Sequence, residues 1–156
     1  MPNTVVADIM THEPIVVTPE TSLKTAIQLI ANNRIGCLPV INDDKKIVGI
    51  ISDADLMWQE TGVQLPAYIM ILDSVVYLEN PAKRDRDLHK ALGQLVKDVM
   101  TKPAITSLPD KPLREAAQIM HNRKIHHLPV VNNDEHVVGI LTLGDIVRFM
   151  AAHYDD

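Results

Sequence analysis

The chain has a single cysteine, Cys37, in 156 residues. One thiol excludes an intramolecular disulfide and a thiolate metal cage, and with no signal-like N-terminus the expected setting is a reducing cytoplasm. Excess positive charge is also missing. Fifteen Lys and Arg face 20 Asp and Glu, a formal charge of -5, so neither a nucleic-acid surface nor an anionic-membrane surface is expected, although a local basic cluster could still hold a small anion. There is no long hydrophobic run. The longest, "LPAYIMILDSVVYL" from Leu65 to Leu78, is too short for a spanning helix and contains Asp73. No Ser-His-Asp or Cys-His arrangement stands out and no ligand spacing recurs, so neither a catalytic residue nor a metal site is expected. What is present, 46% hydrophobic and 22% charged residues, is an ordinary globular balance. A chain of this length forms one domain or two small modules sharing a core, buries roughly two thirds of its unfolded surface and folds without a required cofactor.

The sequence says one thing twice. From Pro19 to Met57 and from Pro109 to Val147, at a constant offset of 90, 15 of 39 positions are identical, which marks an internal repeat. Each copy reads in the same order. A short apolar strand (Ile15 to Val17; Ile105 and its neighbours) leads through a proline turn into an amphipathic helix. That helix carries its apolar stripe at Leu23, Ala26, Ile27 and Ile30, or at Leu113, Ala116, Ala117 and Met120. Ser22 suits an N-cap and Pro112 an early-turn position. Two strands follow, "CLPVI" and "IVGII" or "HLPVV" and "VVGIL", joined by the polar hairpin turns "NDDKK" and "NNDEH". A second helix starts at "SDAD" or "TLGD". The predicted fold class is α+β, two β-α-β-β-α units, with repeat 1 over 1–60, a helical connector over 61–95 and repeat 2 over 96–156. Each unit alone leaves a sheet face uncovered, which predicts a pseudo-twofold intramolecular pair.

Candidate binding residues gather at the second helix of each copy. Ser52 and Thr142 are natural N-caps with Asp55 and Asp145 at the third helical position, where the helix dipole favours a carboxylate. A simple capping box accounts for this spacing. So does a ligand site, because a helix start suits a phosphate and a carboxylate one turn in can accept both hydroxyls of a ribose. Arg34 and Lys124 end the first helices, where a cation complements the C-terminus and can also reach a phosphate. His126 and His127, in "KIHHLPVV", are adjacent at a strand entry. Their side chains point to opposite faces and cannot readily share one metal ion. They read either as a packed and an exposed strand-entry pair or as a phosphate-facing pair.

The ordered set "DIMT" and "DVMT", "LPV" twice, "VGI" twice, and Ser52-x-x-Asp55 with Thr142-x-x-Asp145 resembles a tandem pair of cystathionine β-synthase (CBS) domains, the Bateman module. The resemblance covers nearly all of the chain outside Trp58 to Val96. It implies a stand-alone, non-enzymatic regulatory module that binds an adenosine nucleotide (AMP, ADP or ATP) or S-adenosylmethionine in the cleft between repeats and forms a disc-like homodimer. Ser52, Asp55, Thr142 and Asp145 would then hold the ligand, and the adenine would lie near Ile15 and Val16 in one copy and Ala104 and Ile105 in the other. In the AMP-activated-kinase branch of the family, the place of His126 holds a histidine and that of His127 an arginine, both near phosphates. Here the second is a histidine, which titrates near neutrality. Copy one has Gly36 and Cys37 in these places, leaving Arg34 as its main phosphate support, so the two sites should not be equivalent. The connector, with Tyr68, Met70 and Tyr77, covers the pair's own core or forms an interface with a second copy or a regulated protein. An alternative function is therefore a ligand-free interaction or scaffold module acting through the connector.

Overall fold

The computed structural model describes residues 3–57 and 94–154. The connector expected over 61–95 lies outside them, apart from Gln94 and Leu95. The elements run α1 (Val6–Ile9), β1 (Thr11–His12), α2 (Leu23–Asn33), β2 (Cys37–Ile41), β3 (Ile47–Ser52), α3 (Asp53–Met57), α4 (Val96–Val99), α5 (Leu113–Arg123), β4 (His127–Val131), β5 (Val137–Thr142) and α6 (Leu143–Ala152). The fold is α+β.

The long helices form where the periodicity places them. Ser22 Oγ accepts the Thr25 N–H at 3.1 Å and starts α2, which buries Leu23, Ala26 and Ile27. In α5 the buried positions are Leu113, Ala116 and Met120, and Pro112 directly precedes the first turn. Both helices end on a residue in the left-handed region, Arg34 at φ 52° and Lys124 at φ 55°. There the next amide folds back onto the last turn, Ile35 N–H to Ile30 C=O at 3.2 Å and Ile125 N–H to Met120 C=O at 3.0 Å. In the hairpin turns Asn42 Oδ1 accepts the N–H groups of Asp44 and Lys46, and Asn132 Oδ1 those of Asp134 and His136. The left-handed positions fall on Lys45 and Glu135.

The strands expected at Ile15 to Val17 and around Ile105 are each reduced to one bridge. Val17 pairs in parallel with Val40, and Ser107 with Val130. The physical reason is a proline on each partner strand: Val17 and Ser107 donate to the carbonyls of Pro39 and Pro129, both at 3.0 Å, but proline has no N–H to extend the ladder.

The chain divides into two compact units that exchange their leading segments. One contains Met1–Ile15, Ile41–Val48 and Pro103–Asp156, the other Val16–Val40 and Gly49–Lys102. The "DIMT" of copy one thus completes the unit built on repeat 2, and the "DVMT" of copy two completes the unit built on repeat 1. Each motif residue has a job there. Asp8 and Asp98 cap α1 and α4 by accepting the N–H of Val5 and of Leu95, each at 2.9 Å. Met10 packs its sulfur over Gly139 and Met100 over Gly49, positions that leave no room for a Cβ. Thr11 pairs with Ile140 in the β1-β5-β4 sheet, and Thr101 bridges Ile50 beside the β2-β3 pair. The core of the repeat 2 unit is Val6, Met10, Leu113, Ala116, Met120, Leu128, Val130, Leu141 and Ile146. In the other unit Val17, Leu23, Ala26, Ile27, Leu38, Val40, Ile51, Leu56 and Val96 are buried.

Candidate functional site

In each unit a strand runs straight into the start of a helix, and that junction gathers the candidate side chains. In the repeat 2 unit, β4 and β5 pair His127 opposite Thr142, and the His126 carbonyl accepts the Leu143 N–H at 2.9 Å. These two contacts tie the histidine pair to the first turn of α6. Thr142 Oγ1 accepts the Asp145 N–H at 3.1 Å, and Asp145 Oδ2 returns the contact by accepting the Thr142 N–H at 2.9 Å. The reciprocal box satisfies two donors that a helix start otherwise leaves open. The other oxygen, Asp145 Oδ1, accepts from Arg148. Lys124 ends α5 three residues before β4 and is exposed, as is His126, whereas His127 is half-buried. His126 stands just ahead of the strand rather than on it.

The repeat 1 unit builds the same junction with other groups. Gly36 C=O accepts the Asp53 N–H at 2.8 Å, Ser52 Oγ accepts the Asp55 N–H at 3.2 Å, and Asp55 Oδ2 accepts the Ser52 N–H at 2.9 Å. Asp55 Oδ1 takes the Thr101 hydroxyl at 2.7 Å, so the leading segment delivers a polar group to the carboxylate. Arg34 is exposed two residues before Gly36. Ile15, Val16, Ala104 and Ile105 are all half-buried in irregular chain; Ile15, Ala104 and Ile105 belong to the repeat 2 unit and Val16 to the repeat 1 unit.

Two features differ from the sequence-based expectation. The helix starts do not present a row of free amides for a phosphate, because Asp53, Asp55, Leu143 and Asp145 already donate to their own chain. Thr101 and Arg148 donate to the candidate carboxylates Asp55 and Asp145 and were not singled out by the motif reading. Thr101 had a signal, since "MT" recurs at the same offset of 90 as Thr11. Arg148 had a weaker one, its place one turn after Asp145.

Cys37 occupies the place of His127 and is buried. Burial first, and then the carboxylates of Asp53 and Asp55, push its thiol well above the ordinary value of 9.0. The folded thiol therefore stays neutral where the unfolded one ionises, and stability is lost as pH rises through the unfolded value. Above about pH 9 the native chain should lose up to about 1.4 kcal/mol per pH unit relative to Cys37→Ala. Urea unfolding of both proteins at two alkaline pH values measures the difference, and parallel pH profiles would contradict it. Among the described residues, no group of three or more His, Cys, Asp or Glu side chains could hold a metal ion, and no helix is long and apolar enough to cross a membrane.

A family model for the CBS domain matches residues 6–59 and 96–152. The chain belongs to the CBS domain family. It is 34% identical over 152 residues to the protein MJ1426 of Methanocaldococcus jannaschii, a match covering 92% of this chain and 89% of that one. Among solved structures it resembles CBSX2 in complex with AMP, with a TM-score of 0.69, 32% identity and coverage of 95% and 97% of the two chains. It also resembles the CBS domain pair of MJ0100 in complex with 5'-methylthioadenosine and S-adenosyl-L-methionine, with a TM-score of 0.72, 26% identity and coverage of 97% and 99%. The chain spans 57% of CBSX1, a chloroplastic CBS domain-containing protein of Arabidopsis thaliana, and 20% of the inosine-5'-monophosphate dehydrogenase of Thermoplasma acidophilum.

Proposed function

We propose that this CBS pair is a regulatory sensor, not an enzyme, that binds an adenosine-containing ligand such as AMP, ADP, ATP or S-adenosylmethionine. The observation that carries the reading is the carboxylate at each strand-to-helix junction, Asp55 and Asp145. In both, one oxygen is fixed by the cap and the other takes a hydrogen-bond donor from a side chain. A ribose diol can take the place of such a donor. Ser52 and Thr142 hold the carboxylates in place, and the family resemblance assigns the base to half-buried chain, near Ile15 and Val16 for one copy and near Ala104 and Ile105 for the other. Because the helix amides are largely consumed, phosphate recognition falls to the exposed side chains, Arg34 in one unit and Lys124 with His126 and His127 in the other. Relatives solved with AMP and with 5'-methylthioadenosine support this ligand class, and the small share of the dehydrogenase that the chain spans supports a regulatory role.

At a ligand concentration of 100 times Kd, linkage gives about 2.7 kcal/mol of stabilisation. For a chain of this size that is a rise in Tm of about 5 to 10 °C. A melting screen with AMP, ADP, ATP, S-adenosylmethionine and 5'-methylthioadenosine should show it for at least one compound. No shift at millimolar ligand would contradict the sensor reading.

A second reading, an interaction module that docks a protein or a second copy, is favoured by α6 and its end. Leu143, Val147, Met150 and Tyr154 are exposed at spacings that align them in one stripe, an unusual apolar surface for a free helix. A homodimer through this stripe is compatible with ligand sensing. A melting temperature indifferent to every adenosine compound is the result that would favour docking alone.

A further inference from the structure

The two carboxylates are equivalent in sequence but not in what holds their outer oxygens. Asp55 Oδ1 takes a neutral hydroxyl, Thr101 Oγ1, at 2.7 Å. Asp145 Oδ1 takes a guanidinium, Arg148 Nη2, at 2.5 Å. The Arg148 side chain is 73% exposed and that of Asp145 only 10%, so the cation lies on the solvent side of the carboxylate, where an arriving diol would meet it. Asp145 Oδ2 is turned toward the Thr142 N–H, which leaves Oδ1 as the accessible acceptor. Gly144 contributes to the arrangement: a Cβ there would stand 3.3 Å from Arg148 Nη1, tighter than ordinary van der Waals contact. Repeat 1 has Ala54 at this place.

We propose that Arg148 sets the ligand affinity of its site by competing with the ligand's ribose for Asp145. This rests on the reading of Asp145 as a ribose anchor. Binding at Asp55 exchanges one neutral hydroxyl for another. Binding at Asp145 must break an ion pair, so the two sites of one chain respond differently to salt. Salt screens an exposed ion pair, so it weakens the internal competitor. An uncharged ligand should therefore bind Asp145 more tightly as salt rises, the reverse of the usual effect of salt on a charged site. At Asp55 the same ligand should be indifferent to salt.

The test is calorimetric titration of the full chain with adenosine, which carries no phosphate, at about 50 and about 500 mM salt. The Asp55→Asn background isolates the Asp145 site. Arg148→Met keeps the aliphatic stem and removes the charge. At low salt Arg148→Met should bind adenosine about two- to fivefold more tightly than the parent, the range set by an exposed ion pair. The parent should approach that affinity at high salt, while Arg148→Met stays unchanged. Equal or weaker binding by Arg148→Met, or a parent affinity independent of salt, overturns the competition. If neither protein nor the wild type binds any adenosine compound, the ribose reading fails and the competition with it, which is a different outcome from binding that simply ignores Arg148.

Discussion

Asp145→Ala should reduce the affinity of its site for adenosine ligands by about ten- to a hundredfold or more, while the protein stays folded. A carboxylate that accepts ribose hydroxyls contributes about 1.5 to 3 kcal/mol through charge-assisted hydrogen bonds. The structural cost is smaller. Thr142 Oγ1 still accepts an amide of the first turn, and what is lost is one contact from Asp145 Oδ2 to the Thr142 N–H together with the Arg148 pair. That amounts to about 1 kcal/mol. Asp145→Asn separates the two roles, since its amide oxygen can still accept the Thr142 N–H but carries no charge. Titration and urea unfolding of both variants read the split. Unchanged ligand affinity in Asp145→Ala, with only the stability lowered, would return Asp145 to the role of a cap.

Arg34→Gly and Lys124→Gly should make the protein more stable and the site weaker. Both residues hold left-handed backbone at the end of a helix, where a residue with a Cβ is strained by about 1 kcal/mol or more. Glycine relieves that strain but brings a larger loss of chain entropy on folding, so the net gain is about 0.5 to 1 kcal/mol. Retaining a cation at both strained positions makes sense if the charge is used. Removing it should weaken AMP binding by about ten- to a hundredfold, the size of a charge-assisted contact to phosphate, and leave adenosine unaffected. A stability gain with no change in AMP affinity would mark Arg34 and Lys124 as helix-end cations and no more.

These two predictions also show where the sequence was informative. The helix-strand-strand-helix run in each copy, the four hairpin strands and the caps at Ser22, Ser52 and Thr142 could be read from local pattern, because each depends on residues within a few positions of one another, and the repeat from its constant offset of 90. The family resemblance followed from the same local motifs. What escaped was long-range. Nothing local says that "DIMT" completes the unit built on the other repeat, because the partner of Met10 is Gly139 and that of Met100 is Gly49. Thr101 reaches Asp55 across 46 positions for the same reason. The left-handed conformations of Arg34 and Lys124 were hidden because glycine, the usual marker, is absent there. The short strands expected before the first helices failed on a subtler point, the missing N–H of Pro39 and Pro129 on the strands they should have joined. His126 and His127 were read as alternating strand residues, whereas the strand begins only at His127. Arg148 was not singled out at all, although it donates to the one carboxylate oxygen of Asp145 that the cap leaves available.

The measurement that bears most directly on the central claim is equilibrium titration of the wild-type chain with AMP and with 5'-methylthioadenosine, repeated on the Asp55→Ala, Asp145→Ala double variant. The account predicts saturable binding of an adenosine compound by the wild type and its loss in a double variant that still unfolds cooperatively. Absence of binding by the wild type at millimolar ligand, or undiminished binding by a folded double variant, would contradict it.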